Sequence, residues 1–133
     1  MRIAILGSGS KGNAALVEAG GTRLLLDAGI ALRTLEERMV TALGAIPEAI
    51  HGIVITHAHR DHAQHAPAYA ERFGCPVYVS ESTQRGVRWE QRPKTFVVAR
   101  TAPFRIGAIE VSPFPVPHDA PQVALVVESG GAR

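Results

Sequence analysis

Three histidines and one aspartate are concentrated in a single short segment of the chain. His57, His59, Asp61 and His62 directly follow the apolar run 52–55. Side chains at positions i and i+2 of an extended chain point the same way, so we expect His57 and His59 to bind one ion from a strand end. Asp61 and His62 come from the turn that follows and can face a second ion. Imidazole nitrogens and carboxylate oxygens suit zinc, manganese or iron, so the segment favours a metal site over a loop of solvated histidines.

The composition indicates a globular domain. The 133 residues fit one domain, with 46 % hydrophobic and 20 % charged residues. A net charge of +2 permits an anionic substrate but does not by itself indicate nucleic acid. No run approaches the roughly 18 apolar residues that a membrane span requires. Cys75 is the single cysteine, which argues against a disulfide framework and a cysteine-zinc site and fits a cytoplasmic location. It lies between Gly74 and Pro76, and we expect a small buried packing residue rather than a nucleophile.

Strands and helices are predicted around the histidine segment. Apolar periodicity and turn residues predict strands at 2–6, 14–18, 22–27, 51–56, 77–79, 95–98, 104–106, 108–114 and 123–128. Helical spacing predicts helices at 32–43 and 66–73, each closed by a glycine, and a helical turn up to residue 87 that Ser80 or Ser82 could cap. The expected fold class is α/β, with a mixed sheet and flanking helices.

A glycine-rich loop near the N-terminus matches the sequence pattern of a dinucleotide-binding fingerprint but not its structural context. Residues 7–12 read G-x-G-x-x-G after a strand, and Asp27 lies 20 residues beyond Gly7. A dinucleotide site needs a helix after the third glycine, yet only nine residues separate Gly12 from Thr22, and two of them are glycines. We therefore favour a hairpin here. The backbone N–H groups of this loop can still border the active site.

The histidine segment resembles the metal-binding signature of the metallo-β-lactamase fold superfamily. Residues 6–13, 25–29 and 116–120 resemble its YycJ/WalJ-like branch, which is associated with DNA exonuclease activity. The resemblance covers essentially all 133 residues and corresponds to roughly the first half of a family member. It implies that residues 1–133 form one partial domain, the N-terminal half of an αββα sandwich.

The resemblance also implies a ligand set. His57, His59 and His118 would bind the first of two divalent ions, zinc or manganese, and Asp61 and His62 would contribute to the second. Asp61 would also orient the attacking water and so act in catalysis. A bridging aspartate and a further histidine of relatives have no counterpart in these residues, so this chain could hold one ion only.

Two polar residues near the segment, Asp27 and His65, are candidates for a supporting role. Asp27 ends an apolar strand, and a buried carboxylate needs partners, so we expect it to hold the metal loop in shape rather than only to bond its own turn. His65 stands where relatives usually have glycine. It could be an extra ligand, although a solvated surface histidine is favoured.

A basic segment surrounds the single tryptophan. Arg85, Arg88, Arg92 and Lys94 flank Trp89 and could contact a nucleic acid backbone. A solvated helix and loop, with Trp89 anchored on the core, is the favoured interpretation. Arg60, inside the histidine segment, could equally meet a phosphate or form a salt bridge.

These observations predict a metal-dependent hydrolase, a phosphodiesterase or exonuclease acting on DNA. The alternatives are a hydrolase of another ester, a thioester or a lactone on the same fold, and a catalytically incomplete metal-binding fragment. The residues 129–131 look like a hairpin turn without a partner strand, which suggests a truncated chain. An apolar face left open would favour a homodimer or self-association. Nucleic acid is the expected partner, and no association with a membrane is expected.

Overall fold

The computed structural model describes residues 1–98, 102–115 and 123–128. The strands are β1 Arg2–Gly7, β2 Ala14–Ala19, β3 Thr22–Leu26, β4 Gly52–Val54, β5 Val77–Ser80, β6 Thr95–Val98, β7 Phe104–Ile106, β8 Ile109–Pro115 and β9 Val123–Glu128. The helices are α1 Leu32–Leu43, α2 Arg60–Ala63, α3 Ala66–Phe73 and α4 Glu81–Gly86. Every predicted strand and helix in the described ranges is present, and only α2 was expected as a turn.

Two sheets organise the chain. The first has the order β1-β2-β3-β4-β5-β6, and its β1-β2-β3 part is antiparallel while its β3-β4-β5-β6 part is parallel. Each parallel pair needs a crossover connection, which helices α1 to α4 supply. The second sheet is antiparallel with the order β7-β8-β9. The predicted mixed sheet with flanking helices is confirmed.

Local sequence signals explain where the helices begin and end. Helix α1 buries Leu35 and Met39 and stops at Gly44, whose φ of 85° is a left-handed conformation that glycine adopts without strain. Helix α3 stops in the same way at Gly74. The Ser80 hydroxyl accepts the Thr83 N–H at 3.2 Å, which makes Ser80 the cap of α4.

The six-stranded sheet has an apolar layer on each face because adjacent residues of a strand point to opposite sides. Leu25 and Ile53 belong to the cluster that includes the residues of α1 and α3. Leu24 and Val54 belong to a second cluster with Ile109 of the smaller sheet. The layers are therefore helices, six strands and three strands.

Edge strand β1 leaves apolar surface uncovered. Ile3 pairs with Val17, a member of the cluster between the sheets, and therefore lies on the same face. Ile3 and Ile5 are nevertheless 60 % and 67 % exposed. This face of β1 extends beyond the cover that the described part of the smaller sheet provides.

The hairpin between β2 and β3 contradicts a dinucleotide site. Strand β2 begins at Ala14, two residues after Gly12, where such a site would need a helix. Each helix in the described part of the chain is too short or too polar to span a bilayer. The cytoplasmic location stays a prediction.

Candidate metal centre

The polar residues of the site lie where two neighbouring parallel strands end. Strand β3 ends at Leu26 and β4 at Val54, and the two strands pair in parallel. Their carboxyl ends therefore share one edge of the sheet, the usual place for a site in such folds. Asp27 follows β3, and residues 56–62 follow shortly after β4. The sheet thus brings two distant parts of the sequence together.

Three of the predicted ligands form one group. One ligand atom from each of His57, His59 and Asp61 lies within 4.8 Å of the others. Two ligands bound about 2.1 Å from one ion are separated by at most about 4.2 Å, so only a small contraction is needed. Nitrogen and carboxylate donors at this spacing fit a divalent ion of the zinc or manganese type.

His62 lies beside this group rather than within it. Its ring centroid is 3.6 Å from that of His57, and its Nε2 is 3.6 Å from Asp61 Oδ2. Asp61, expected with His62 at a second ion, is instead grouped with His57 and His59. His62 remains within reach of a neighbouring ion through Nε2.

Asp27 connects strand β3 to the metal segment through four hydrogen bonds. Its carboxylate accepts the Thr56 N–H at 2.8 Å and the Thr56 hydroxyl, which is 2.9 Å from both oxygens. It also contacts His62 Nδ1 at 2.6 Å. Asp27 is buried and has a φ of 65°, a left-handed conformation that aspartate tolerates better than most residues. These contacts are those expected of a residue that holds the metal loop in shape.

The same carboxylate fixes how both histidines carry their protons. The Thr56 hydroxyl donates to Asp27, so its oxygen is left to accept the Nδ1 proton of His57 across 3.0 Å. Asp27 Oδ2 accepts the Nδ1 proton of His62 directly. In the neutral form of each ring, this arrangement leaves the electron pair on Nε2, the state that a metal ligand requires.

Burial reinforces the neutral state of His57. Removal from water, followed by the nearby His62 ring, lowers the pKa of His57 to about 4. The imidazole is therefore uncharged at neutral pH, and a metal would not have to displace a proton from it.

The glycine-rich loop clamps the metal segment through Asn13. The Asn13 N–H donates to Asp61 O at 2.7 Å, and its side-chain amide donates to the same oxygen at 3.1 Å. The amide nitrogen is also 3.2 Å from His62 Nε2, while the Gly9 N–H donates to Asn13 Oδ1. The sequence suggested only that this loop could border the site. The contact spans 48 positions, so no local signal could reveal it.

Gly29 allows the closest approach at this junction. A Cβ atom built on Gly29 would lie 1.8 Å from the Asp61 carbonyl oxygen and 2.6 Å from Asn13 N. The Gly29 N–H also donates to Asn13 O at 2.8 Å. Any side chain here would push the segment that carries Asp61 away from its support.

Comparisons with known proteins identify the family of the chain. The family model described as Metallo-beta-lactamase superfamily matches residues 7–131. The chain belongs to the metallo-β-lactamase superfamily. It is 29 % identical over 127 residues to "Exodeoxyribonuclease WalJ" of Streptococcus pneumoniae, covering 90 % of this chain and 46 % of the relative. It is 32 % identical over 126 residues to "Exodeoxyribonuclease YycJ" of Bacillus anthracis, covering 90 % and 47 %. The chain thus spans about half the length of these curated relatives.

A solved structure confirms the fold. A B3 metallo-β-lactamase with an active-site glutamic acid superposes with a TM-score of 0.78 at 22 % identity, covering 96 % of this chain and 54 % of that protein. The predicted half of a metallo-β-lactamase sandwich is therefore confirmed. That residues 1–133 form a single partial domain stays a prediction.

The remaining sequence predictions have different outcomes. His118, expected as a ligand of the first ion, lies outside the described residues, so its role stays a prediction. His65 directly precedes α3, is partly buried, and its N–H donates to Ala28 O. Burial and then the charge of Arg60 lower the pKa of His65. Among the described residues, His65 is not part of the group of possible ligands.

Two further predictions are confirmed. The Trp89 indole donates to Ala63 O at 2.8 Å and packs against the core, so this residue is an anchor. Cys75 is buried, and burial raises the pKa of its thiol to about 11, as expected for an unreactive packing residue.

Strand β4 is shorter than the predicted 51–56 for a reason tied to the site. Its ladder with β3 ends at the pair of Leu26 with Val54, and the Thr56 N–H donates to the Asp27 side chain. The carboxylate thus replaces the main-chain acceptor that a neighbouring strand would offer to this N–H. The chain then leaves the sheet and continues into the metal segment.

Proposed function

We propose that this site is the metal centre of a hydrolase that cleaves phosphodiesters, acting as an exonuclease on DNA. The observation that supports it most is the group of three ligand atoms from His57, His59 and Asp61, beside a carboxylate that sets the histidine protons. The two relatives described above are named exodeoxyribonucleases, and these names are the reason for proposing DNA as the substrate.

The proposed ligands follow the family pattern. His57, His59 and His118 would hold a first divalent ion, and Asp61 and His62 would contribute to a second. The donors favour zinc or manganese for both. Asp61 has the additional role of accepting a hydrogen bond from the attacking water, which fixes the direction of its approach.

The reaction is the addition of water across a P–O bond. A new bond forms between the water oxygen and phosphorus, the bond to the leaving oxygen breaks, and a proton ends on that leaving oxygen. A bound divalent ion supplies Lewis acidity, which acidifies water and offsets the negative charge that grows on the phosphate oxygens. Asp27, Thr56 and Asn13 keep the ligand-bearing segment in place throughout.

Metal binding without turnover is the competing function. It is favoured by the fact that the ligand atoms grouped in the described residues suffice for one ion. A single ion would supply less positive charge to offset the negative charge that develops in the reaction. Hydrolysis of another ester, a thioester or a lactone on the same fold is a third possibility.

The test combines metal content with hydrolysis. The full chain is loaded with Zn²⁺ or Mn²⁺, its metal content is measured, and it is offered end-labelled DNA, a thioester and a lactone. We expect about two ions per chain and removal of nucleotides from a DNA end, both abolished by chelator. The variant Asp61→Asn should lose cleavage.

The matched control is His51→Asn. His51 is an exposed histidine whose Nδ1 accepts the Arg23 N–H, and asparagine can keep that bond. This variant should cleave DNA as the parent does. One ion per chain, with no cleavage of DNA by either protein, would support metal binding alone and reject the nuclease. No bound ion would reject both functions.

A further inference from the structure

A large groove adjoins the metal centre. It has a volume of about 1450 Å³ and is lined by residues 58–60, by part of the segment between Ala63 and Pro76 that contains α3, and by residues 86–94. Ligand pockets for small molecules usually have volumes of roughly 300–1,000 Å³, so this groove exceeds what a small metabolite needs. It is better matched to a segment of a polymer.

The groove and the metal centre share residues. His59, one of the three grouped ligands, also lines the groove, and Arg60 lines it next in sequence. Trp89 lines it too, and its indole N–H is bound to Ala63, the residue after His62. A ligand lying in this groove would therefore contact the segment that carries the metal ligands.

The charges in the groove favour a polyanion. Four cations line it, Arg60, Arg88, Arg92 and Lys94, against two acids, Glu71 and Glu90. None of the four cations forms an ion pair with a described residue. Other arginines do form such pairs on the surface, namely Arg2, Arg23, Arg33, Arg72, Arg85 and Arg105. The groove thus concentrates positive charge that the described protein does not neutralise.

Trp89 adds a surface on which a base can stack. Its indole is fixed by the hydrogen bond to Ala63 O and by contact with the core, so little side-chain freedom would be lost on binding. A groove with positive charge and a fixed aromatic ring is the usual design of a site for single-stranded nucleic acid.

We propose that this groove binds a single strand of nucleic acid, with Arg88, Arg92 and Lys94 on its phosphates and Arg60 nearest the metal centre. The inference rests on the proposed function, because it identifies where the substrate of that centre lies. It adds the residues that capture the strand before any bond is broken. An acidic polypeptide is the competing polyanion.

The test compares two triple variants that remove the same charge. The groove variant is Arg88→Gln, Arg92→Gln and Lys94→Gln. The control variant is Arg2→Gln, Arg33→Gln and Arg105→Gln, which removes exposed arginines that are all outside the groove. Binding of a labelled single-stranded oligonucleotide is measured by fluorescence anisotropy in chelator, so that no cleavage can occur.

The groove variant should bind about tenfold more weakly or worse, and the slope of log affinity against log salt should fall by about 2, since each lost phosphate contact contributes about 0.7. The affinity of the control variant for the oligonucleotide should change by less than about threefold. Equal losses in both variants, or no loss in the groove variant, would overturn the proposal.

The single tryptophan gives an independent measurement. Emission from Trp89 should be quenched by a DNA or RNA strand and should not change with polyglutamate at equal charge. Quenching by polyglutamate equal to that by DNA would indicate a general polyanion surface and reject a stacking site. A duplex of the same sequence should bind more weakly than the single strand, because its bases are not free to stack.

Failure of the groove and failure of the proposed function have different signatures. Hydrolysis of a small chromogenic phosphodiester by the metal-loaded parent protein tests the metal centre without the groove. Salt-dependent strand binding in chelator without any hydrolysis would keep the groove and reject the nuclease. Hydrolysis of the small diester without strand binding would keep the metal centre as a hydrolytic site and reject the groove.

Discussion

The metal segment and the groove segment differ in how their polar groups are held. Residues 56–62 carry histidines and an aspartate whose positions are set by directional hydrogen bonds to Asp27 and Asn13. In the groove, Arg88, Arg92 and Lys94 are exposed and form no ion pair with a described residue. The first region is organised for binding at fixed geometry, and the second supplies charge that can follow a flexible strand.

The comparison predicts that substitutions in the two regions affect different measurements. Changes to the support of the metal segment should alter metal affinity and stability. Changes in the groove should alter strand binding and its salt dependence, with metal affinity unchanged.

The largest effect is expected from Gly29→Ala. A Cβ at 1.8 Å from Asp61 O cannot be accommodated without backbone movement, because the clash is with main-chain atoms. We expect a loss of at least about 3 kcal/mol in the free energy of unfolding, together with loss of metal binding. Denaturant unfolding measures the stability loss, and metal titration measures the loss of binding.

Gly21→Ala is the control for Gly29→Ala. A Cβ built on Gly21 meets no atom within 4 Å. Gly21 has a left-handed φ of +79°, so the control itself includes a backbone cost of about 1 kcal/mol. Equal stability losses in the two variants would contradict the tight packing at Gly29.

The next largest effect is expected from Asp27→Ala. Removing the carboxylate leaves the Thr56 N–H, the Thr56 hydroxyl and His62 Nδ1 without their acceptor. Metal affinity should fall by about 10- to 100-fold, as measured by competition with a chromophoric chelator. Asp27→Gly separates the effect of the lost carboxylate from that of backbone strain. Glycine accepts the φ of 65° without strain yet also lacks the carboxylate. If Asp27→Gly keeps the parent metal affinity, the proposed role of the carboxylate is wrong.

A smaller effect is expected from the single groove variant Arg92→Gln. Loss of one phosphate contact should weaken strand binding by about threefold and reduce the salt slope by about 0.7. Metal affinity should stay within error of the parent value, since the described structure shows no bond from Arg92 to the metal segment. A parallel loss of metal affinity would mean that the two regions are not separate.

The smallest effect is expected on the exposed face of β1. Ile3 and Ile5 offer apolar surface at a sheet edge, and we expect self-association there. The double variant Ile3→Ser and Ile5→Ser should shift the population toward monomer by sedimentation at high protein concentration, with metal and strand binding unchanged. Val40→Ser, an exposed change on α1, is the control. A parent protein that is monomeric at all concentrations would contradict the prediction.

Local signals account for most of the fold that the sequence predicted. Helices α1 and α3 end at Gly44 and Gly74 because left-handed glycines close helices wherever the chain context allows. The hairpin between β2 and β3 needs only the pair Gly20 and Gly21. Helix α2 was missed because its four residues give no periodic signal, and its position depends on Asn13 from another part of the chain.

The sequence by itself determined the kind of chemistry. His57, His59 and Asp61 lie so close along the chain that a strand end and one short turn suffice to group them. Tertiary structure decided everything that depends on residues far apart in sequence: the four bonds of Asp27, the clamp by Asn13, and the groove between residues 58–76 and 86–94. Such contacts form only when β3 and β4 pair and their loops meet at one edge. No local pattern encodes that meeting, because it follows from the packing of the whole sheet.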